Sequence, residues 1–471
     1  MANEMYKLIR EVPVEDAYDV VVAGGGAAGS AAAICAARSG ARTLLIEETG
    51  CLGGLGTSGL VCAFDPMANG RELVRGLMRE VVEALHQEGF LGPGVTPDWW
   101  LQRFAWTPFH PEGYKLVLDR LATEAGVEVR FFTRVIDAEV AAAERVVKGV
   151  ITHNVEGCSF IPAKSFVDCT GEAILADLCG CDCWEAGRDT PKIMPATLPS
   201  LFTGIDWDRV FAYRKEHGNE QGSGVIRKGI ADGMFIQPDL FLVGMSRIGK
   251  TTGYLNGGHL FNLDALRCRD LTGNAMLGRR IAQNYLAFYR KYIPGCEAME
   301  QVTTASVLGI RESRRIKGEY VLSMEDYLAR RQFPDQIGVF AKFVDIHPYD
   351  TSEDQYEQFK NRCQTHRLGQ GECYGLPYGI LVPRGWRNLW VAGRCASSDV
   401  PVQGAIRVQP SCSMMGQAAG TAAVQSARTG QPACDLDTKA LVETLRAANA
   451  YLPQTELREK MSRSRADKEV K

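Results

Sequence analysis

No stretch of this 471-residue chain stays apolar for the roughly 20 residues that a helix needs to cross a bilayer. Residues 1–10 carry no apolar core of the kind a secretory signal requires. A surplus of one charge is missing too: 53 Lys and Arg are interspersed with 56 Asp and Glu, for a net charge of −3. A field that weak neither tracks a phosphate backbone nor docks on an anionic lipid surface. These absences predict a cytoplasmic protein with no nucleic acid partner and no membrane partner. Cysteine is plentiful, at 15, but irregularly spaced. Structural metal sites usually take CxxC-type spacing with a second pair elsewhere, and neither is present, so no metal is expected. The densest group is Cys179-Gly180-Cys181-Asp182-Cys183. On a short strand it would put Cys179 and Cys183 on one face and Cys181 on the other, as small buried thiols. Histidine is scarce, with only seven, which narrows any search for a general base.

What is present is one complete dinucleotide-binding unit in residues 18–47. The strand Tyr18-Asp19-Val20-Val21-Val22-Ala23 runs into Gly24-Gly25-Gly26-Ala27-Ala28-Gly29. A small-residue helix over 30–39, Gly40, and a second apolar strand Thr43-Leu44-Leu45-Ile46 follow, with Glu47 at its tip. Gly24 permits the tight turn, Gly26 lets the backbone approach a pyrophosphate, and Gly29 lets helix and strand pack closely. The helix start, at Ala27 and Ala28, offers unpaired N–H groups and a positive dipole end to phosphate. Glu47 is placed to accept from a ribose 2′-hydroxyl, and its charge argues against a 2′-phosphate. Composition is ordinary for a globular chain, 45% hydrophobic and 23% charged, and the length predicts two or three domains.

After Glu47 and Glu48 comes a glycine-dense loop, with Gly53 and Gly54 bare enough for close approach to a cofactor. Residues 71–88 show helical periodicity, with Leu73, Leu77, Val81 and Leu85 on one face. Trp99, Trp100, Phe104, Trp106 and Phe109 read as a satellite core. A helix over 111–125, a strand over 127–132, β-rich segments at 135–140 and 146–153, and a strand over 165–168 complete the first region. From 185 to 385 the order is less regular, with a long helix at 274–292. The α/β pattern then returns with an apolar strand ending at Gly393 and a helix over 411–428. In that helix, Gly416 and Gly420 permit close packing. The reading is therefore an α/β fold: a Rossmann-like domain built from 1–184 and 386–455, with an α+β substrate domain over 185–385 inserted in it. A flexible tail covers 456–471.

Four blocks carry a family resemblance. They are 21–47 with Leu52-Gly53-Gly54; Val167-Asp168-Cys169-Thr170-Gly171-Glu172; Gly309-Ile310-Arg311-Glu312-Ser313-Arg314-Arg315-Ile316-Lys317-Gly318; and 388–420, including Ala392-Gly393-Arg394-Cys395 and Ile406-Arg407-Val408-Gln409-Pro410. On these the chain resembles the FAD-dependent oxidoreductases of the glutathione-reductase-like flavoprotein fold, with a discontinuous FAD domain. The resemblance implies FAD and redox chemistry. It makes Gly24, Gly26, Ala27, Ala28, Gly29, Glu47, Glu48, Gly53, Gly54, Val135, Thr170, Gly171, Gly393, Arg394, Ser411, Cys412, Met415 and Gly416 the candidate cofactor contacts. The amides near Ser411, Cys412 and Met415 are expected at the N1–C2=O edge of the flavin. Two positions depart from the pattern: Glu172 stands where aspartate is usual, and Arg394 follows Gly393 where many flavoenzymes have an aspartate. No second fingerprint exists for a nicotinamide, since the glycines of 369–375 have the wrong spacing. The electron acceptor is thus left among dioxygen, quinones, proteins and small molecules. A redox disulfide is not expected, because Cys51 and Cys62 are too widely spaced.

Transfer of a hydride from a small-molecule substrate needs a base for the accompanying proton. His347, in Val344-Asp345-Ile346-His347-Pro348, reads as the end of a strand facing the interdomain cleft, with a midpoint expected at about 6.5. His259 follows Gly257-Gly258, a setting typical of ligand-facing groups. A satisfied structural histidine is the competing reading for each. Arg311, with Arg314 and Arg315 at helical spacing, could hold an anion, one or two of the three being salt-bridged instead. Tyr374 and Tyr378 line a cleft or simply pack. Three functions follow: an FAD-dependent dehydrogenase or oxidase, an ene-reductase resembling fumarate reductase, or a non-redox protein of the thiazole-synthase type. A homo-oligomer is left open.

Overall fold

The structure is a computed structural model, and it describes residues 9–96, 106–221 and 223–453. The tail expected at 456–471 and the aromatics Trp99, Trp100 and Phe104 lie outside those residues. The first strand, β1 (Tyr18–Ala23), the first helix, α1 (Ala27–Arg38), and the second strand, β2 (Thr43–Ile46), form the expected βαβ unit. Strand order in the main sheet is Glu128–Arg130, β2, β1, Gly157–Asp168, Val146–Asn154, Arg134–Ala141, with Leu389–Val391 also paired to Gly157–Asp168.

The long strand Gly157–Asp168 does two jobs. Its first half pairs antiparallel with Val146–Asn154, and its second half pairs parallel with β1 and with Leu389–Val391. The register aligns Ala23, Ile46, Arg130, Asp168 and Val391 at one carboxyl edge. Side chains alternate across β1: Val20 and Val22 join one core cluster, and Val21 and Ala23 the other. A parallel sheet buried on both faces needs such unbroken apolar strands, and each buried Val, Leu or Ile contributes roughly 1.5–3 kcal/mol.

The late helix Gln409–Thr429 packs along α1, and glycine sets the distance. A Cβ on Gly416 would stand 1.9 Å from the Ala28 carbonyl oxygen, and one on Gly420 would stand 2.1 Å from that of Ala32. Within the unit itself, a Cβ on Gly29 would fall 1.7 Å from the Gly24 carbonyl oxygen. Segments nearly 400 residues apart in sequence are thus joined by bare backbone.

Between 185 and 385 the chain builds a four-stranded antiparallel sheet, in the order Ser246–Arg247, Gly253–Leu255, Ser200–Thr203, Glu300–Thr304. The helix Cys268–Tyr292 packs on it, and a ladder joins Gln336–Phe340 to Tyr374–Pro377. Three local expectations are corrected. The helix expected at 71–88 spans only Leu77–Gln87, because Gly76 takes a positive φ of 64° and starts it there; Leu73 is buried from the preceding loop. Arg311 to Arg315 are not helical: Arg314–Ile316 form a strand paired with Cys183–Glu185, so the assumed shared face does not exist. Cys179 caps the short helix Ile174–Leu178 and Cys181 follows it, so only Cys183 is on a strand. All three thiols are free, and burial raises each.

Gly416→Ala tests the helix contact by its sign. In an open helix interior glycine to alanine stabilises by roughly 0.5–1 kcal/mol. Here the overpacked contact should destabilise by about 1–3 kcal/mol, read from the urea midpoint at unchanged m-value.

Candidate functional site

The carboxyl edge of the sheet carries the fingerprint turn. Gly24 has φ +94°, and a Cβ on it would meet the Cys169 carbonyl oxygen at 2.5 Å. The glycine-dense loop comes to meet this turn: Gly53 N–H donates to Gly25 O at 2.8 Å, and a Cβ on Gly54 would stand 2.8 Å from the Gly26 Cα. Helix α1 begins beside this trough with Gly26 as N-cap, no side-chain cap and no acid in its first turn. Its first amides therefore lack intrahelical partners.

Glu47 is buried at the tip of β2. One carboxylate oxygen accepts the Gly25 N–H at 2.6 Å and the other accepts the Thr49 N–H at 2.7 Å. Each oxygen keeps a further lone pair for a ligand hydroxyl. Glu48 points outward to Arg134, at 2.7 Å, and the next residue, Val135, is buried on its strand. Thr133 N–H donates to Glu47 O and Phe132 N–H to Thr49 O, so the segment at 132–135 lies beside that acid. At the neighbouring strand end Thr170 is locked onto the buried Asp168, and Gly171 takes φ +85°. Arg394 lies over Gly171 and pairs with Glu172, so the two departures from the family pattern are partners in one ion pair.

The late helix corrects part of the expected contact set. It starts at Gln409, and the Cys412 N–H is already donated to Val408 O at 3.0 Å. Met415 lies a full turn inside, where α-helical geometry consigns its N–H to the Ser411 carbonyl. Gly416 serves the contact with Ala28. The free amides are those of Gln409 and Ser411, Pro410 having none. The Gln409 side chain ties this start to the glycine-loop region by donating to Val61 O at 2.8 Å.

The region between 185 and 385 brings both singled-out histidines together. His259 Nε2 and His347 Nδ1 lie 2.8 Å apart, and both rings are buried. A carboxylate stands beyond each end. Asp239 Oδ2 is 3.0 Å from His259 Nδ1, close to the ring N–H but off its direction, and it also accepts the His259 backbone N–H at 3.1 Å. Asp345 Oδ1 is 3.5 Å from His347 Nε2. Phe241 packs against both rings, at 4.8 and 4.5 Å between centroids. Burial, and then the Arg311 charge, hold His347 well below the ordinary histidine value. Burial alone would raise Asp345, but His347, Lys342 and Arg407 take it well below the carboxylate range. Arg407 reaches Asp345 at 3.4 Å, and it precedes the late helix by two residues. Arg407 thus ties Asp345 to the segment that opens the late helix. His347 itself follows the strand Gln336–Phe340 on a stretch without regular secondary structure, not at a strand end.

The remaining candidates are structural or unpaired. Arg314 binds Asp177 and Glu185, and Arg315 binds Asp189 and Ser398 O. Tyr378 is fixed by Trp390 and Ala433 O, and Tyr374 is buried beside Tyr327 and Phe340, so packing explains both. Among the described residues, Arg311 alone of these arginines has no carboxylate within ion-pair distance, and its Nη1 donates to Pro195 O. Asp239, Asp345, Arg407 and the buried Lys342–Asp65 pair were not singled out as site residues from sequence. Asp345, two residues before His347, was the one with a usable signal, because a base commonly takes a carboxylate partner.

A family model described as FAD dependent oxidoreductase matches residues 19–445. The chain belongs to that family: it is an enzyme, and its cofactor is FAD. Among solved structures it is similar to a geranylgeranyl bacteriochlorophyll reductase-like protein from Thermoplasma acidophilum, at 14% identity and TM-score 0.47, over 92% of this chain and 84% of that one. It is also similar to p-nitrophenol 4-monooxygenase from Pseudomonas putida, at 11% identity and TM-score 0.43, over 96% and 92%. The search of curated proteins finds no match.

The residues fit this cofactor. The trough of Gly24, Gly26, Gly53 and Gly54 is one that added Cβ atoms would fill, and the uncapped start of α1 suits its pyrophosphate. Among the described residues, the buried Nε of Arg394, just past the strand Leu389–Val391, and the buried Oε1 of Gln409, at the start of the late helix, have no hydrogen-bond partner. Replacing Glu47 by alanine should weaken FAD binding by about 1.5–3 kcal/mol, the range of a hydrogen bond to a charged group. Equilibrium dialysis of the flavin measures this, and unchanged retention would remove Glu47 from the ribose.

Proposed function

We propose that this enzyme is a dehydrogenase or oxidase for a small polar metabolite, with the two histidines taking up the proton that is released. One observation carries the reading: two buried imidazoles joined at 2.8 Å with a carboxylate beyond each end. When bound, FAD supplies two-electron chemistry, accepting the equivalent of a hydride from a C–H next to oxygen or nitrogen. Gly24, Gly26, Gly53, Gly54 and Glu47 would hold it, with Gln409 and Ser411 at the late helix start. The chain's own task is the proton that leaves the substrate O–H or N–H.

The partners assign the tautomers. Ionised Asp239 favours a proton on His259 Nδ1, which leaves His259 Nε2 as acceptor and His347 Nδ1 as donor. His347 Nε2 is then the free base. On taking a proton there, His347 passes its Nδ1 proton to His259. The imidazolium ends beside Asp239, and the new His347 N–H faces Asp345. One proton is stored without stranding a buried charge. No dinucleotide fingerprint exists for a nicotinamide, which supports a different electron acceptor.

A second reading, the ene-reductase, is favoured by one observation. Burial, and then Arg407, push Arg311 down to about 9, toward the range of a useful acid. Arg311→Lys should then abolish reduction of an unsaturated acid by reduced viologen, and wild-type protein inert in that assay removes this reading.

His347→Ala should fold and keep FAD, while anaerobic flavin reduction by substrate slows roughly 10²–10⁴-fold in stopped flow. Reduction at the wild-type rate would return the histidines to a packing role. The pH dependence has a definite sign. The base acts when neutral, and burial with Arg311 lowers its proton affinity, so the rate should stay level through about 6.5 and fall only at lower pH. A midpoint at or above the ordinary histidine value contradicts the assignment.

A further inference from the structure

Arg311 is buried, at 6% exposure, yet among the described residues no carboxylate comes within ion-pair distance of it. Its Nη1 donates to Pro195 O at 2.6 Å, and its backbone is held by Gln403 Nε2 on Arg311 O at 2.8 Å. The neighbouring arginines all differ: Arg314, Arg315, Arg394 and Arg407 each have an acid. Burying a cation without a counter-charge is among the more expensive arrangements a fold can hold, and persists where a ligand supplies the charge. Burial and then Arg407 disfavour this cation in the free protein, and Asp345 and Asp239, beyond ion-pair distance, offset only part of that; an incoming anion would relieve the remainder. Two further groups in this region are left unsatisfied, Arg407 Nε as donor and Gln403 Oε1 as acceptor. A ligand with an anionic acceptor and a separate donor matches that set.

We infer that Arg311 receives the carboxylate of the substrate, and that the substrate is a small carboxylic acid bearing a hydroxyl or amino group. The inference rests on the reading of the two-histidine cluster as the reacting site, and it names the substrate class for that site. Guanidinium suits the task because its planar fork matches a carboxylate at two points. The oxidation balances within the same assignment. The C–H bond yields the hydride equivalent to FAD, the O–H or N–H proton goes to His347, and a C=O or C=N bond forms. The carboxylate stays bound to Arg311 throughout.

The test is a spectral titration of the oxidised holoenzyme with acetate, using isosteric, uncharged acetamide as the comparison. Acetate should saturably perturb the visible flavin bands and acetamide should not. In Arg311→Met, loaded with FAD, the acetate dissociation constant should rise roughly 10- to 100-fold, the worth of one charged hydrogen-bonded contact. Arg311→Lys should recover part of it. Equal binding of acetate and acetamide by the wild type overturns the inference without any variant, as does an unchanged acetate constant in Arg311→Met. His347→Gln separates the two readings, since the anion site should survive there while substrate-driven flavin reduction is lost. Acetate binding lost in Arg311→Met, together with undiminished flavin reduction in His347→Gln, would leave the anion site standing and remove the base.

Discussion

Everything at the carboxyl edge of the sheet depends on one contact of bare backbone, that of the late helix Gln409–Thr429 against α1. Gly416 lies on the Ala28 carbonyl and Gly420 on that of Ala32, at separations no side chain could enter. The contact brings the last segment of the fold to the turn made by its first. Through Arg407 and Gln403, which lie just before the helix, it also reaches the region between 185 and 385, because Arg407 binds Asp345 and Gln403 binds the Arg311 backbone. A shift of the helix along α1 would therefore move the nucleotide trough and the histidine cluster relative to each other. Close-packed interiors transmit such a shift instead of absorbing it.

The cluster itself concentrates what a fold ordinarily avoids. Asp239, His259, His347, Asp345, Arg407, Lys342, Asp65 and Arg311 are all buried or nearly so within one region. Most of the charges are neutralised in pairs, which is the condition for their burial at all. Arg311 is the exception, and Glu312 beside it is pushed upward by burial. A buried network this polar contributes little net stability compared with an apolar core. What the arrangement permits is chemical: a hydrogen-bonded pair of imidazoles with a carboxylate beyond each end can gain a proton beside an opposite charge.

Some of this was readable residue by residue. Val20 to Ala23 had to be a buried strand, Gly24 had to make the tight turn, and Pro111 opened a helix as its fixed φ allows. The site was readable only in part. His259 and His347 stood out because histidines are few, and Arg311 because it lies in a cationic run. That the two histidines bond each other could not be read, since 88 residues separate them. The same run misled about Arg314 and Arg315. Helical spacing was assumed where pairing with Cys183–Glu185 made a strand, a non-local choice that outweighs local preference.

The division follows from the range of the forces. Sequence alone determined the βαβ unit, the trough of glycines, the acid at the tip of β2 and the return of the α/β pattern after residue 385. Each depends on backbone freedom or apolar period within a few turns of chain. Tertiary structure alone decided that Arg394 neutralises Glu172, that Met415 turns inward while the helix start at Gln409 and Ser411 has no side-chain cap, and that Arg311 is buried on the Pro195 carbonyl, with no ion pair among the described residues. Those outcomes depend on which side chains meet after burial, and burial sets both the cost of a charge and the value of the neighbour that answers it.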